Sequence, residues 1–202
     1  MATTNETLPE TANDVMVKRW ITETRTGGED DRMGTLISFD ASTSCTGWAV
    51  FENNRLIAYG KIKPHGDTWR DKIMDETMAI AVLFREYVPD VVVAEDVPLK
   101  DGKPTIVKLG AVHGMILSLC AGFKLEPVFV LPSNWRHELG MFDGTRAGMK
   151  RDVMKEKAVH MANEQFGLNL QWISPTSSKN DDDVAEAILI GWSYVIKSQN
   201  HE

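Results

Sequence analysis

Three stretches of this chain set carboxylates at the edge of an apolar run. Leu36-Ile37-Ser38-Phe39 stops at Asp40, and Val91-Val92-Val93-Ala94 stops at Glu95 and Asp96. Asp181-Asp182-Asp183 opens a third apolar segment, which contains Glu186. Taken singly, each has an ordinary explanation. An aspartate at a strand end is most often a turn or cap residue. Three aspartates at a helix start complement the backbone dipole. Glu95-Asp96 could be plain loop polarity. Brought together, such groups repel, and one must take up a proton unless a cation intervenes. Oxygen-only donor sets select hard cations such as Mg²⁺ or Mn²⁺. Two such ions about 4 Å apart can activate a water and stabilise a departing oxygen in phosphodiester hydrolysis.

The elements that would position these groups can be read in order. Leu36–Asp40, the small-residue turn Ala41–Cys45 and Thr46–Val50 form a β-hairpin. Leu56–Ile62 adds a third strand after Glu52-Asn53-Asn54, giving an antiparallel meander. Thr68 caps a helix carrying Trp69, Ile73, Met74, Met78, Ile80, Leu83, Phe84 and Tyr87 at helical spacing, and Pro89 stops it. Val91–Val97, β-branched and apolar on both faces, fits a central parallel strand. Thr105–Phe123 is a helix with Gly110, Ala111, Gly114 and Ser118 on one side, suited to close packing. Glu126–Leu131 is a short strand, and Pro132-Ser133 opens a helical turn with Trp135. Phe142–Gly148 is a glycine-containing loop, Met149–Phe166 a basic amphipathic helix, and Trp172–Lys179 a polar loop. The last helix runs from Asp181 to about Lys197. Asp183 and Glu186, three apart, share one of its faces. The expected fold is α/β: a mixed five-stranded sheet, meander plus parallel strands, flanked by helices.

With 202 residues and 43% apolar content, one domain with a real core is expected. Residues 1–33 read as a flexible N-terminal arm, with a short amphipathic helix at Val15–Ile21; residues 34–199 are the domain. The net charge is −7. Residues 100–160, however, hold ten Lys/Arg against six Asp/Glu, a local excess that suits phosphate binding. Cys45 and Cys120 read as reduced, buried thiols, and no Cys/His cluster suggests zinc. There is no basic-then-apolar leader and no apolar run long enough to span a bilayer. A cytoplasmic protein with no membrane partner is the expectation.

The order of these segments resembles the RuvC-type Holliday-junction resolvases of the RNase H-like superfamily, particularly their bacteriophage members. The resemblance covers roughly residues 34–196. It rests on Ile37-Ser38-Phe39-Asp40-Ala41-Ser42 with Thr46-Gly47-Trp48-Ala49-Val50, on Val93-Ala94-Glu95-Asp96-Val97, on Lys108-Leu109-Gly110-Ala111-Val112-His113-Gly114, on Glu126-Pro127-Val128-Phe129, and on Asp182-Asp183-Val184-Ala185-Glu186-Ala187-Ile188. It implies that Asp40, Glu95, Asp183 and Glu186 hold two Mg²⁺ (or Mn²⁺) per active site. Asp183 is taken over Asp182 because it keeps the three-residue spacing to Glu186. It implies a homodimer that makes symmetric nicks in four-way DNA junctions. Lys150 falls where the family tends to keep a catalytic lysine, with Arg151 as its rival. Glu186 replaces the family's usual aspartate, a longer reach. Pro98 stands where cellular members often carry a stacking aromatic, which points to a broader range of branched DNA.

Phosphate contacts are expected from Lys103, Lys108, Arg136, Arg146, Lys150 and Arg151. Trp135 is either a base-stacking residue, with Arg136 and His137, or a core anchor. His113 and His160 read as helix-face residues. Two other functions share features of this chain. Actin-like kinases also open with a strand, an aspartate and a Ser/Thr turn, but need a second ATP-binding half, and no internal repeat is present here. A non-catalytic module binding branched DNA would have to hold four carboxylates against phosphates with no metal.

Overall fold

The computed structural model of the protein describes residues 34–97 and 103–199, the side chains of 103 and 104 excepted. The N-terminal arm with its expected helix, and the loop that includes Pro98, lie outside the described residues. The order is β1 (Thr35–Asp40), β2 (Thr46–Glu52), β3 (Arg55–Ile62), α1 (Trp69–Tyr87), β4 (Val91–Glu95), α2 (Lys103–Gly122), β5 (Val128–Val130), α3 (Pro132–Glu138), α4 (Arg151–Phe166) and α5 (Asp182–Gln199). The five strands form one sheet, β3-β2-β1-β4-β5. β1–β2 and β2–β3 are antiparallel, while β1–β4 and β4–β5 are parallel. This is the expected mixed sheet.

Strand alternation decides which side chains meet which helices. From β1, Ile37 and Phe39 join Trp48, Val50, Val92 and Ala94 in a core with Ile80 and Phe84 of α1 and Val112 and Ile116 of α2. Leu36 joins Ala49, Phe51 and Val93 in a second core with Trp135, with Ala158 of α4 and with Ile188 of α5. Helices therefore cover both faces. By the same parity, Asp40 belongs with Leu36 and Ser38, and Glu95 with Val91 and Val93. Both carboxylates are delivered to the α5 side of the sheet.

α5 is seated on that face without slack. Gly47 pairs with Asp40 across the hairpin. A Cβ on Gly47 would lie 1.8 Å from the carbonyl oxygen of Asp183, so only glycine lets the start of α5 approach β2. The buried Ser38 hydroxyl donates to the Ala187 carbonyl at 2.7 Å. Gly191 lies against Ser38 and Phe51, where a Cβ would come within 2.6 Å of both side chains.

Two expectations need correction. On α1, Thr68 does cap the helix and forms a capping box with Asp71, but Met74 and Met78 are exposed and Glu76 is buried in their place. The true stripe is Ile73, Glu76, Ile80, Leu83, Phe84 and Tyr87. On α2, Thr105–Gly122 is long and apolar enough to cross a membrane by length and composition. Here it packs on the sheet through Val112, Met115, Ile116 and Cys120. Its outer stripe, Val107, Gly110, Gly114, Leu117 and Ala121, is left exposed, and among the described residues nothing lies within 4 Å of a Cβ built on Gly110 or Gly114.

Candidate active site

The register of β1 on β4 runs from Leu36 opposite Val91 to Phe39 opposite Ala94. One step further sets Asp40 beside Glu95 at the same edge of the sheet. Asp96 turns the other way, accepting from the N–H of Val97, with its backbone N–H on Val130.

The three consecutive aspartates are sorted by their partners. Asp181 bonds Lys61 of β3 at 2.7 Å and accepts the N–H of Gln171. Burial alone would raise its carboxyl, but these bonds lower it. It closes the loop before α5. Asp182 is held by Lys155. Asp183 acts electrostatically on Asp40 and faces the Cys45 thiol. That thiol is half-buried rather than buried, and loss of hydration with the Asp183 charge pushes it up to about 12. Asp183, with its carbonyl on Gly47, is thus the aspartate turned towards Asp40.

Three further side chains hold the carboxylates; of their roles, only that of Trp135 as a core anchor was among the expectations. Trp135, 1% exposed, is the core anchor, and its indole N–H donates to Glu95 Oε1 at 2.9 Å. Arg136 reaches Glu186 at 2.6 Å and stands 3.9 Å from Glu95, so it points into the cluster instead of out to phosphates. Lys155 of α4 meets Asp182, Asp183 (3.3 Å) and Glu186 (3.7 Å). Burial would lower its ammonium, yet Glu186, Asp182 and Asp183 together hold it above its ordinary value.

Lys150, the sequence candidate for the catalytic lysine, is the exposed N-cap of α4 and has no ion pair with the cluster; Arg151 is exposed as well. Five residues further along, Lys155 has turned inward on the side shared with Met154, Ala158 and Val159. Lys108 and Arg146 are exposed. The side chain of Lys103 is outside the described residues. His113 lies behind the site, stacked on Phe129 at 4.4 Å with Nε2 3.0 Å from the Glu95 carbonyl; His160 is exposed.

The charges of the cluster do not balance. Loss of hydration, then Glu186, Glu95 and Asp183, push the Asp40 carboxyl well above the ordinary range, with Lys155 opposing. Glu95 is pushed up to about 7 by burial and Glu186, against the Trp135 bond, Arg136 and Lys155. Five carboxylates, Asp40, Glu95, Asp182, Asp183 and Glu186, face two cations, Lys155 and Arg136. An all-oxygen set with excess negative charge fits hard divalent ions. Among the described residues, no three acidic, His or Cys side chains close on a single point, and Glu186 is engaged by Arg136 at 2.6 Å and by Lys155 at 3.7 Å.

A pH dependence follows. Raised carboxyls stabilise the fold in their neutral forms. That stability is fully present below the ordinary carboxylate range and is lost as pH rises through the folded values, about 7 for Glu95. Glu76 on α1, also pushed up to about 7, acts in the same sense. Metal-free protein should melt lower at pH 8 than at pH 6. Added Mg²⁺, binding the ionised groups, should raise the melting temperature more at pH 8. Thermal melts at both pH values, with chelator or Mg²⁺, check this; a metal-free melt unchanged or higher at pH 8 removes the electrostatic assignment.

A mixed β3-β2-β1-β4-β5 sheet covered by helices on both faces, with acidic residues at the ends of β1 and β4 and the start of the last helix, is an RNase H-like fold. No protein-family model matches the chain. Individual proteins do. The crossover junction endodeoxyribonuclease RuvC of Nitratidesulfovibrio vulgaris is 26% identical over 142 residues, 68% of this chain and 81% of the relative. The protein of the same name from Erythrobacter litoralis is 30% identical over 94 residues, 44% of this chain and 58% of the relative. Among solved structures, Thermus thermophilus RuvC in complex with a Holliday junction substrate superposes with a TM-score of 0.63 at 14% identity, covering 83% of this chain and 96% of that one. The yeast mitochondrial Holliday junction resolvase Ydc2 gives 0.51 at 12% identity, covering 84% and 82%. This chain is RuvC-like in both sequence and fold.

Proposed function

We propose that this protein is a metal-dependent endodeoxyribonuclease that resolves four-way and other branched DNA, of the kind found in bacteriophages. The observation that carries this is the set of carboxylates gathered from β1, β4 and α5 at one edge of an RNase H-like sheet, with Asp40 strained by three like charges. Asp40, Glu95, Asp183 and Glu186 would hold two Mg²⁺, which supply Lewis-acid polarisation of the phosphate and an acidified water. The chain's own residues do the rest. Trp135 fixes the Glu95 carboxylate and Arg136 orients Glu186. Lys155 places a positive charge where a phosphate's negative charge must be tolerated. Lys108, Arg146, Lys150 and Arg151, all exposed, would supply phosphate contacts, with Lys103 a further candidate from the sequence. Products are 5′-phosphate and 3′-hydroxyl ends, and the setting is the cytoplasm.

The active form is a homodimer. A four-way junction presents two-fold symmetry, which two identical sites match. The stripe Val107, Gly110, Gly114 and Leu117 on α2 suits a second copy of the same helix, its glycines allowing close approach.

The test is cleavage of a synthetic four-way junction with Mg²⁺ in the presence of excess linear duplex. Paired nicks in opposite strands are expected, with little cutting of duplex. Leu117→Glu should shift the protein to monomer in sedimentation and uncouple the paired nicks. Equal cutting of junction and duplex, or no cutting with any divalent ion, overturns the assignment; a Leu117→Glu protein that sediments as wild type overturns the dimer face.

A further inference from the structure

Glu76 lies on α1, across the sheet from the carboxylate cluster, and is 0% exposed. A carboxyl in such a place is costly unless paired. Among the described residues its Oε1 has one partner, the hydroxyl of Thr46 at the start of β2, and its Oε2 has none. Thr46, also fully buried, is engaged twice more: its Oγ1 accepts the N–H of Ser42 at 3.1 Å and lies 3.2 Å from the Ser42 carbonyl. A hydroxyl has a single proton to give. If it goes to the Ser42 carbonyl, the Glu76 carboxyl must supply the proton for its own bond to Thr46. A neutral Glu76 therefore satisfies every bond at Thr46 Oγ1 and ties both backbone groups of Ser42. Burial, pushing the carboxyl up to about 7, favours the same form.

Ser42 in turn closes the loop. Its hydroxyl donates to the Cys45 carbonyl at 2.8 Å and accepts the Cys45 N–H at 3.2 Å. This loop has Asp40 at its entry and Cys45, facing Asp183, near its exit. The chain of bonds runs from the far face of the sheet, through Glu76, Thr46 and Ser42, to the turn that presents the first candidate metal ligand.

We propose that Glu76 is a positioning residue: its hydrogen bond to Thr46 clamps the Asp40–Thr46 turn in the conformation that presents Asp40 to Glu95, Asp183 and Glu186. The consequence for cutting rests on the nuclease function proposed above; the clamp itself does not. A carboxyl with an orphaned oxygen is a poor way to fill a core, and a methionine of similar length would pack there at no polar cost. A merely structural Glu76 predicts that methionine is tolerated in every respect. A clamp predicts a stable protein with a loosened turn.

The experiment uses the full chain and three variants, Glu76→Gln, Glu76→Met and Thr46→Val. Iodoacetamide labelling of Cys45, read by peptide mass spectrometry without metal or DNA, reports the turn, and the fully buried Cys120 is the internal reference. Single-turnover cleavage of a four-way junction with Mg²⁺ reports the site. Glu76→Met and Thr46→Val should raise Cys45 labelling about five-fold and slow cleavage about ten-fold, since small misplacements of a reacting group cost that much or more. Junction affinity should stay at or above wild type in both, and so should the melting temperature of Glu76→Met; Thr46→Val strands the Glu76 carboxyl and the Ser42 backbone groups and should melt lower. Glu76→Gln, which keeps a donor in the same place, should match wild type in both assays. Cys45 labelling unchanged in Glu76→Met and Thr46→Val overturns the clamp, and so does a Glu76→Gln protein as impaired as Glu76→Met. A wild type that cuts no junction would overturn the nuclease function instead and leave the labelling comparison to decide the clamp.

Discussion

Asp40→Asn should still bind four-way junctions and should no longer cut them. Asparagine has the same shape but cannot ionise, so the variant keeps the hairpin and loses one metal-binding charge. The expected fall in single-turnover rate is roughly three orders of magnitude, about 4 kcal/mol of transition-state stabilisation. Junction affinity should hold or rise, because one negative charge facing the phosphates is gone. The metal-free variant should also melt higher than wild type at pH 8, where the native carboxyl, pushed up by lost hydration and three acidic neighbours, is costly to ionise. Glu95→Gln should behave alike, since its amide oxygen can still accept the Trp135 indole N–H. Gel-shift and cleavage assays on one junction separate the two quantities. Variants that cut like wild type would remove both residues from the metal site.

Lys155→Met should cost about a hundred-fold in cleavage at saturating Mg²⁺, the scale of losing one preorganised charge contact, whereas Lys150→Met should cost no more than about two-fold. Lys155 is the ammonium in contact with Asp182, Asp183 and Glu186, and Lys150 is an exposed helix cap. Without metal, Lys155→Met leaves three carboxylates short of a partner, so the variant should melt lower than wild type under chelator. It should recover much of that loss when Mg²⁺ is added. Lys150→Met should show only a weaker, salt-dependent affinity for DNA. The opposite ranking in cleavage would return the catalytic role to Lys150.

The sheet and the acidic positions were legible because strand alternation is a two-residue code. Ile37 and Phe39 against Leu36, Ser38 and Asp40 fix a face, and the spacing of Asp183 to Glu186 fixes a helical side. Lys155 was not legible. In Lys150, Arg151, Lys155 and Lys157 the basic residues crowd one helix, and which one turns inward depends on how α4 meets α5 across Met154 and Ala158. Arg136 was lost for a similar reason: a short helix with Trp135, Arg136 and His137 in a row exposes nothing about its rotation. Glu76 could have been found. It falls three after Ile73 and four before Ile80, a lone carboxyl on an otherwise apolar stripe, whereas Met74 and Met78 drew the eye because they are apolar and are in fact exposed.

The bond from Ser38 to Ala187 joins residues 149 apart in sequence, and this has a consequence for how the protein is made. β1 through β4 emerge from the ribosome long before α5, so the nascent sheet carries Leu36, Ala49 and Phe51 uncovered on one face until the last helix is complete. Contacts of such separation are slow to form, and the waiting face is a point of aggregation or chaperone capture. The same delay governs the site. Asp40 and Glu95 are synthesised early, but Asp183 and Glu186 come only with α5, so the carboxylate cluster is assembled no sooner than the core that this helix covers.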